Sequence, residues 1–195
     1  MRAPRPGAAE RAPSRQQEGA HRQRRPHARR RRHVASTDEA GLYQLYDGLN
    51  ADDRYLRFFC GYRPTDEFFD KLANPRPGDA RVVAELVDGH KQLIAEAGYS
   101  LLDNGNGEFA MVVARDWRGW LGPYLLDVVI DIAAANHVPN LEAEVLAANR
   151  TMLALLRARG SAFLEHGDCL RSRRSANVGI RRSSGSSVPP LGYSS

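Results

Sequence analysis

The sequence predicts an α+β domain built on a mixed, mostly antiparallel sheet flanked by helices. Three observations predict it. The hydrophobic period changes from helical to extended near residue 80. Three extended stretches follow, separated by short Gly- and Asn-containing turns, as in an antiparallel meander. The chain then alternates helix, strand, helix, strand, the pattern of a β-α-β unit joined to that meander.

The elements follow in order. Asp38 or Thr37 is placed to cap a helix carrying Leu42, Leu45, Tyr46 and Leu49 on one face. A second short helix is expected over Asp52 to Phe59. Thr65-Asp66-Glu67 opens a third, with Phe68, Phe69 and Leu72 as its apolar face, and Asn74-Pro75-Arg76-Pro77-Gly78 ends it. Arg81–Val87 reads as a strand with Asp88-Gly89-His90 as its turn. Gln92–Leu102 reads as the next, Asp103-Asn104-Gly105-Asn106-Gly107 as a strong turn, and Glu108–Ala114 as the third strand. Pro123–Asn136 is predicted helical, burying Leu126, Val129, Ile130 and Ala133. Leu141–Leu146 is a strand, Asn149–Arg159 a helix closed by Gly160, and Ser161–Glu165 a last short strand.

The chain of 195 residues has room for one ordinary domain and its tails. The expected division is a disordered basic tail over 1–36, a folded domain over 37–168 and a disordered Ser/Arg-rich tail over 169–195, because neither tail has enough apolar area to offset the entropy of ordering. Charge is split the same way. Residues 1–33 carry a net +9, residues 169–195 a net +5 and residues 34–168 a net −9. An acidic body argues against nucleic-acid binding through a basic face of the domain and leaves to the tails only non-specific contact with polyanions. The longest mostly apolar run, Leu121 to Ala135, is broken by Asp127 and Asp131, so no membrane span is expected. No apolar segment follows the Arg-rich start, and Cys60 and Cys169 show neither metal-ligand nor redox spacing, so the expectation is a cytoplasmic protein with no metal.

Residues 114–126 read Ala-Arg-Asp-Trp-Arg-Gly-Trp-Leu-Gly-Pro-Tyr-Leu-Leu: a strand ends, a Gly-containing turn follows and a helix begins. Free N–H groups and the positive dipole end at such a helix N-terminus suit a pyrophosphate, and the glycines allow close approach. An ordinary strand-to-helix turn reads the same way. The stretch from Phe109 to Gly160 resembles the acetyl-CoA core of the GNAT acetyltransferase superfamily. Arg118 aligns with the first position of that family's phosphate loop, and Gly119 and Gly122 flank a one-residue deletion in which the central glycine is lost. Trp120 and Leu121 stand where a small residue is usual. LEAEVL followed by Asn149, Met152, Leu155-Leu156 and Gly160 matches the strand-Asn-helix-Gly order of the family's C-terminal half. The resemblance implies acetyl-CoA as co-substrate, with Arg118, Gly119, Trp120, Leu121 and Gly122 at its phosphates. It also implies that the backbone of Met111, Val112 and Val113 pairs with the pantetheine amides and that Asn149 contacts the pantetheine arm; Asn149 equally suits a helix cap.

In that family the acetyl group passes directly from thioester to amine, with a carboxylate taking the amine proton. The resemblance puts Glu108 first for this role, because it opens the strand after Asn106-Gly107, and Glu96 on the neighbouring strand second. For both, a solvated charge is the alternative. Leu155-Leu156-Arg157 occupies the stretch where many members carry a tyrosine acid, leaving Tyr124 and Tyr99 as substitutes. His137 and His166 have no partner at useful spacing. Tyr55-Leu56-Arg57-Phe58-Phe59 resembles a motif near the start of bacterial protein lysine acetyltransferase domains, and also reads as an aromatic helix packing on the sheet.

The implied activity is therefore acetyl-CoA-dependent N-acetylation of a primary amine, a protein lysine or a small amine, and the acidic body would steer a cationic acceptor toward it. Two alternatives stay open: an acyl-CoA-binding relative impaired in catalysis, and a nucleic-acid-binding protein acting through the Arg-rich tails. The sequence shows no final strand after Asp168 and only Arg32–Ala35 as a remnant of an N-terminal one, so the terminal strands are expected to be lost, with an exposed sheet edge that favours homo-oligomers.

Overall fold

The computed structural model describes residues 28–87, 91–166 and 169–175. In chain order the elements are β1 (Ala28–His33), α1 (Glu39–Asp47), α2 (Ala51–Phe58), α3 (Asp66–Ala73), β2 (Ala80–Val87), β3 (Lys91–Leu101), β4 (Gly107–Val113), α4 (Leu121–Ala135), β5 (Asn140–Leu146), α5 (Arg150–Arg157), β6 (Ala162–His166) and β7 (Cys169–Ser175). All seven strands form one sheet in the order β1-β2-β3-β4-β5-β7-β6. Every neighbouring pair is antiparallel except β4 and β5, so the mixed, mostly antiparallel sheet is as the sequence predicts. The Asp88-Gly89-His90 turn lies outside the described residues.

Side chains alternate across a strand, and both faces of this sheet are covered. Val82, Ala84 and Leu86 point to one face, into a core shared with Leu125, Leu126 and Val129 of α4 and Leu153 and Leu156 of α5. Val83, Leu93 and Val112 point to the other, against Leu42, Leu45 and Tyr46 of α1 and Phe69 and Leu72 of α3. Covering both faces erases the alternation of apolar and polar residues in β2, which reads Ala-Arg-Val-Val-Ala-Glu-Leu-Val.

The structure corrects the reading of the termini. β1 lies inside the stretch expected to be tail, paired with β2 from Ala28 to His33. β7 lies inside the other expected tail and pairs along its whole length with β5 on one side and β6 on the other. The terminal strands are thus present. Their signal was hidden because arginine replaces apolar residues in both, and ion pairs supply the register instead: Arg32 meets Asp38 and Glu85, Arg171 meets Glu144, and Arg173 meets Glu142. Arg32 also explains why Asp38 does not cap α1 with its side chain. Its carboxylate accepts from the Arg32 guanidinium at 2.5 and 2.7 Å and from the Ala35 amide at 2.8 Å. α4 starts at Leu121, two residues before the expected Pro123, so Pro123 falls within the first turn, where a missing N–H costs little.

Candidate active site

β4 is bonded to β3 along its whole length, Gly107 to Leu101 through Val113 to Ala95. On its other edge it meets β5 only at Gly107–Leu141 and Glu108–Glu142. Beyond Glu108 the two parallel strands diverge, and among the described residues no strand lies beside the outer backbone edge of Phe109–Val113. The point of divergence is pinned by a buried polar network. Asn140 Nδ2 donates to Asn106 Oδ1 (3.0 Å), Asn106 Nδ2 donates to Glu142 Oε1 (2.6 Å), and Arg173 donates to the same oxygen through Nη2 (2.8 Å) and Nε (3.1 Å). The hydrogen bonds from Arg173 hold the Glu142 carboxyl below its ordinary range, against the opposing effect of burial and with help from Asn106.

A cavity of about 890 Å³ opens in this split. One wall is β4 from Glu108 to Val113, Arg118, Gly119, Gly122 and Pro123 at the start of α4, Ala143–Val145 of β5, and Asn149, Met152 and Leu155 of α5. Glu108, Met111, Val112, Val113, Arg118, Gly119, Gly122 and Asn149, all singled out from the sequence, therefore meet around one space. Gly119 has φ 74°, a left-handed conformation that favours glycine. A Cβ at Gly122 would sit 3.6 Å from Met111 Cε, an ordinary contact, so that glycine answers to no clash in the protein itself. Arg118 Nε donates to Val113 O (3.1 Å) and its Nη1 to Asp53 Oδ1 (2.8 Å), tying the loop to β4 and to α2. Asn149 caps α5, accepting from the Met152 amide at 3.1 Å, and lines the cavity as well.

Trp120 and Leu121 do not line the cavity. Trp120 is exposed and meets Trp117 edge-on at 6.3 Å, and Leu121 is buried in the core. Of these two, what the loop can offer a phosphate is backbone.

The opposite wall was not foreseen. It consists of Leu49, residues of α2 (Asp53, Leu56, Arg57), Phe59, residues of α3 (Phe68, Lys71, Leu72), Arg76, Asp79 and Arg81. Leu56, Arg57 and Phe59 come from the YLRFF stretch, while its Phe58 packs on Tyr46, Tyr62 and Phe68. Their only sequence signal was that short motif, because no periodicity marks a helix that caps a cavity rather than a core.

Glu96 is corrected. It is fully buried away from the cavity, accepting from Tyr46 Oη at 2.5 Å and from Arg81 Nη1 at 2.6 Å. Burial above all, with the Glu96 charge beside it, keeps the Tyr46 hydroxyl protonated well above its ordinary range, against the opposing pull of Arg57 and Arg81. Neither tyrosine offered as an acid reaches the cavity: Tyr99 is buried with its hydroxyl accepting from Asn136 at 2.8 Å, and Tyr124 is exposed. His137 is exposed in the turn after α4 at φ 60°, and the side chain of His166 lies outside the described residues.

The charges on the cavity wall are almost all paired. Asp53 holds Arg118, Asp79 holds Arg76, Glu144 holds Arg171, Arg81 holds Glu96 and Lys71 holds Glu67. Among the described residues Glu108 is the lining carboxylate with neither ion pair nor hydrogen bond, and it is exposed. Such a group can accept a proton from a neighbouring amine without first breaking a salt bridge. No cluster of metal-ligating side chains occurs among the described residues, and no helix among them is long and apolar enough to cross a membrane.

No protein-family model matches the chain. Solved structures do match over most of it. The GNAT domain of S. lividans PAT superposes with a TM-score of 0.68 at 19% identity, covering 74% of this chain and 89% of that one. A ribosomal-protein-alanine N-acetyltransferase from Brucella melitensis gives 0.62 at 22% identity, over 75% and 99%. A GNAT superfamily phosphinothricin acetyltransferase from Sinorhizobium meliloti in complex with AcCoA gives 0.61 at 20%, over 75% and 87%. At these identities the likeness is one of fold, and it agrees with the split between β4 and β5, the glycine turn before α4 and the capped α5: the chain is a domain of the GNAT fold.

Proposed function

We propose that the protein is an acetyl-CoA-dependent N-acetyltransferase acting on a primary amine, with Glu108 as general base. The observation that carries the proposal is the free carboxylate of Glu108 at the point where β4 leaves β5, facing a cavity large enough for a bound cofactor arm and an acceptor. The residues present suit acetyl-CoA. The open edge of Met111, Val112 and Val113 offers strand-type hydrogen bonds to an extended amide chain. Gly119 and the first-turn amides of α4 offer donors and a positive dipole end to a pyrophosphate, with Arg118 beside them. The sequence raised the concern that Trp120 and Leu121 would crowd the phosphates; their side chains turn outward and into the core, which supports a usable loop.

Acetyl-CoA supplies an activated acetyl group: the amine nitrogen bonds to its carbonyl carbon, the C–S bond breaks and the thiolate leaves. Glu108 takes the proton the amine loses, directly or through a water, and the paired charges on the far wall leave it the available base. A thiolate is a fair leaving group, so the absence of a tyrosine acid from α5 is compatible with turnover. The relatives of like fold are named for protein and for small-molecule acceptors alike.

The test is to incubate the purified protein with acetyl-CoA and a panel of amines and to follow free thiol. Turnover of at least one amine, lost in Glu108→Gln, is the expected result. Acetyl-CoA binding without turnover on any acceptor would establish the impaired, acyl-CoA-binding alternative, and no binding at all would overturn both.

A further inference from the structure

Among the described residues the cavity lining holds one cation without a counter-charge. Five basic residues line the cavity: Arg57, Lys71, Arg76, Arg81 and Arg118. Four of them have carboxylate partners within 4 Å, namely Glu67, Asp79, Glu96 and Asp53. Arg57 has none among the described residues. Its guanidinium lies 5.1 Å from the Phe58 ring centroid, and its Nε is buried with no hydrogen-bond partner. The usual partner of a guanidinium is a planar carboxylate gripped by two N–H groups. Arg57 stands on α2, one helical turn from Asp53, which pairs with Arg118 of the loop before α4. Among the described residues the lining carboxylate without an ion pair is Glu108, at the start of β4, which also feels the charge of Arg171.

The free cation and the free anion point together to the acceptor. Resting on the acetyltransferase reading above, we propose that the acceptor is a small amine bearing its own carboxylate, an amino acid, whose carboxylate pairs with Arg57 while its ammonium lies toward Glu108. With β1 and β7 counted, residues 28–175 carry a net −2, so long-range attraction of the ammonium is slight and recognition rests on contact with Arg57. Among small acceptors this selects zwitterions over simple cations. Over a protein lysine it selects the free acid, because a lysine inside a protein chain has no free α-carboxylate of its own.

The experiment offers matched pairs, glycine with glycinamide and methionine with methioninamide, together with a lysine-containing peptide. Acetyl-CoA is present throughout, thiol release is followed, and rates are compared on the concentration of free amine. The wild-type protein should prefer the acids by about tenfold to a hundredfold in kcat/KM. Arg57→Gln should erase the preference by raising KM for the acids while leaving KM for acetyl-CoA unchanged, and Arg57→Lys should restore part of it. Equal use of acid and amide, preference for the peptide, or a change confined to KM for acetyl-CoA would overturn the proposal. A protein that binds acetyl-CoA but turns nothing over is read by thermal shift with CoA and the N-acetylated pairs. The acid alone should stabilise wild type and not Arg57→Gln, and equal or absent shifts would overturn the proposal. Failure to bind acetyl-CoA at all would instead overturn the acetyltransferase reading on which it rests.

Discussion

The two walls of the cavity are built on different principles. The wall of β4, the 118–122 turn and α5 offers backbone: an unpaired strand edge, a left-handed glycine and the first amides of a helix. The wall of α2, α3 and β2 offers side chains: aromatic packing and charges neutralised in pairs, Arg57 excepted, with Arg81 and Glu96 buried beneath. Backbone recognition needs a geometry and tolerates many side chains. Side-chain recognition needs particular residues. The first wall suits a ligand common to many enzymes of one fold, and the second suits whatever distinguishes this protein.

The comparison breaks most sharply where the walls meet. Glu108→Gln removes the base but neither wall, so kcat should fall by about 10²–10⁴-fold with acetyl-CoA binding unchanged, as measured by thiol release and by titration of the ligand. On the side-chain wall, Glu96→Gln leaves Arg81 buried without its counter-charge and should cost about 3–5 kcal/mol in denaturant unfolding; Tyr46→Phe, which removes one donor and no charge, should cost less. On the backbone wall, Asn149→Ala removes the α5 cap at about 1 kcal/mol and should weaken acetyl-CoA binding more than acceptor binding. Gly119→Ala forces a side chain into φ 74° at about 1 kcal/mol, with the same bias toward the cofactor.

The hinge of the split gives a pH test. Glu142 is held below its ordinary carboxylate value by Arg173, so the folded state binds the proton less tightly than the unfolded one. Its contribution is complete above the unfolded value, about 4.3, and is lost as pH falls through the lower folded value. Acid unfolding followed by circular dichroism should show this slope in wild type, and Glu142→Gln should flatten it.

Much of the backbone wall was legible in the sequence, and little of the other. Gly119, Asn149 and Glu108 sit at turns and element ends, and it was the resemblance to a known family, more than their local chemistry, that singled them out. The helices announced themselves through Leu42, Leu45 and Tyr46 or Phe69 and Leu72. Glu96 was misread because a strand covered on both faces gives no sign of which polar residue is interior. β1 and β7 were missed because Arg32, Arg171 and Arg173 bond to partners up to 53 positions away, which no local window contains. Arg57 could be found only once its neighbours' pairings were known.

β7 is the last described strand in the chain, yet it lies inside the sheet, between β5 and β6. During synthesis β5 emerges with neither edge secured: β4 grips it by two residues, and its full-length partner is still unmade. The second side of the cleft can therefore set only after residues 169–175 arrive and slot between two strands already formed. Loop closure across α5 and β6 makes that a late event, as for other non-local pairings. The cofactor cleft is finished from the C-terminal end, and a chain interrupted just short of Cys169 would carry every residue of the proposed chemistry with no fixed place to use them.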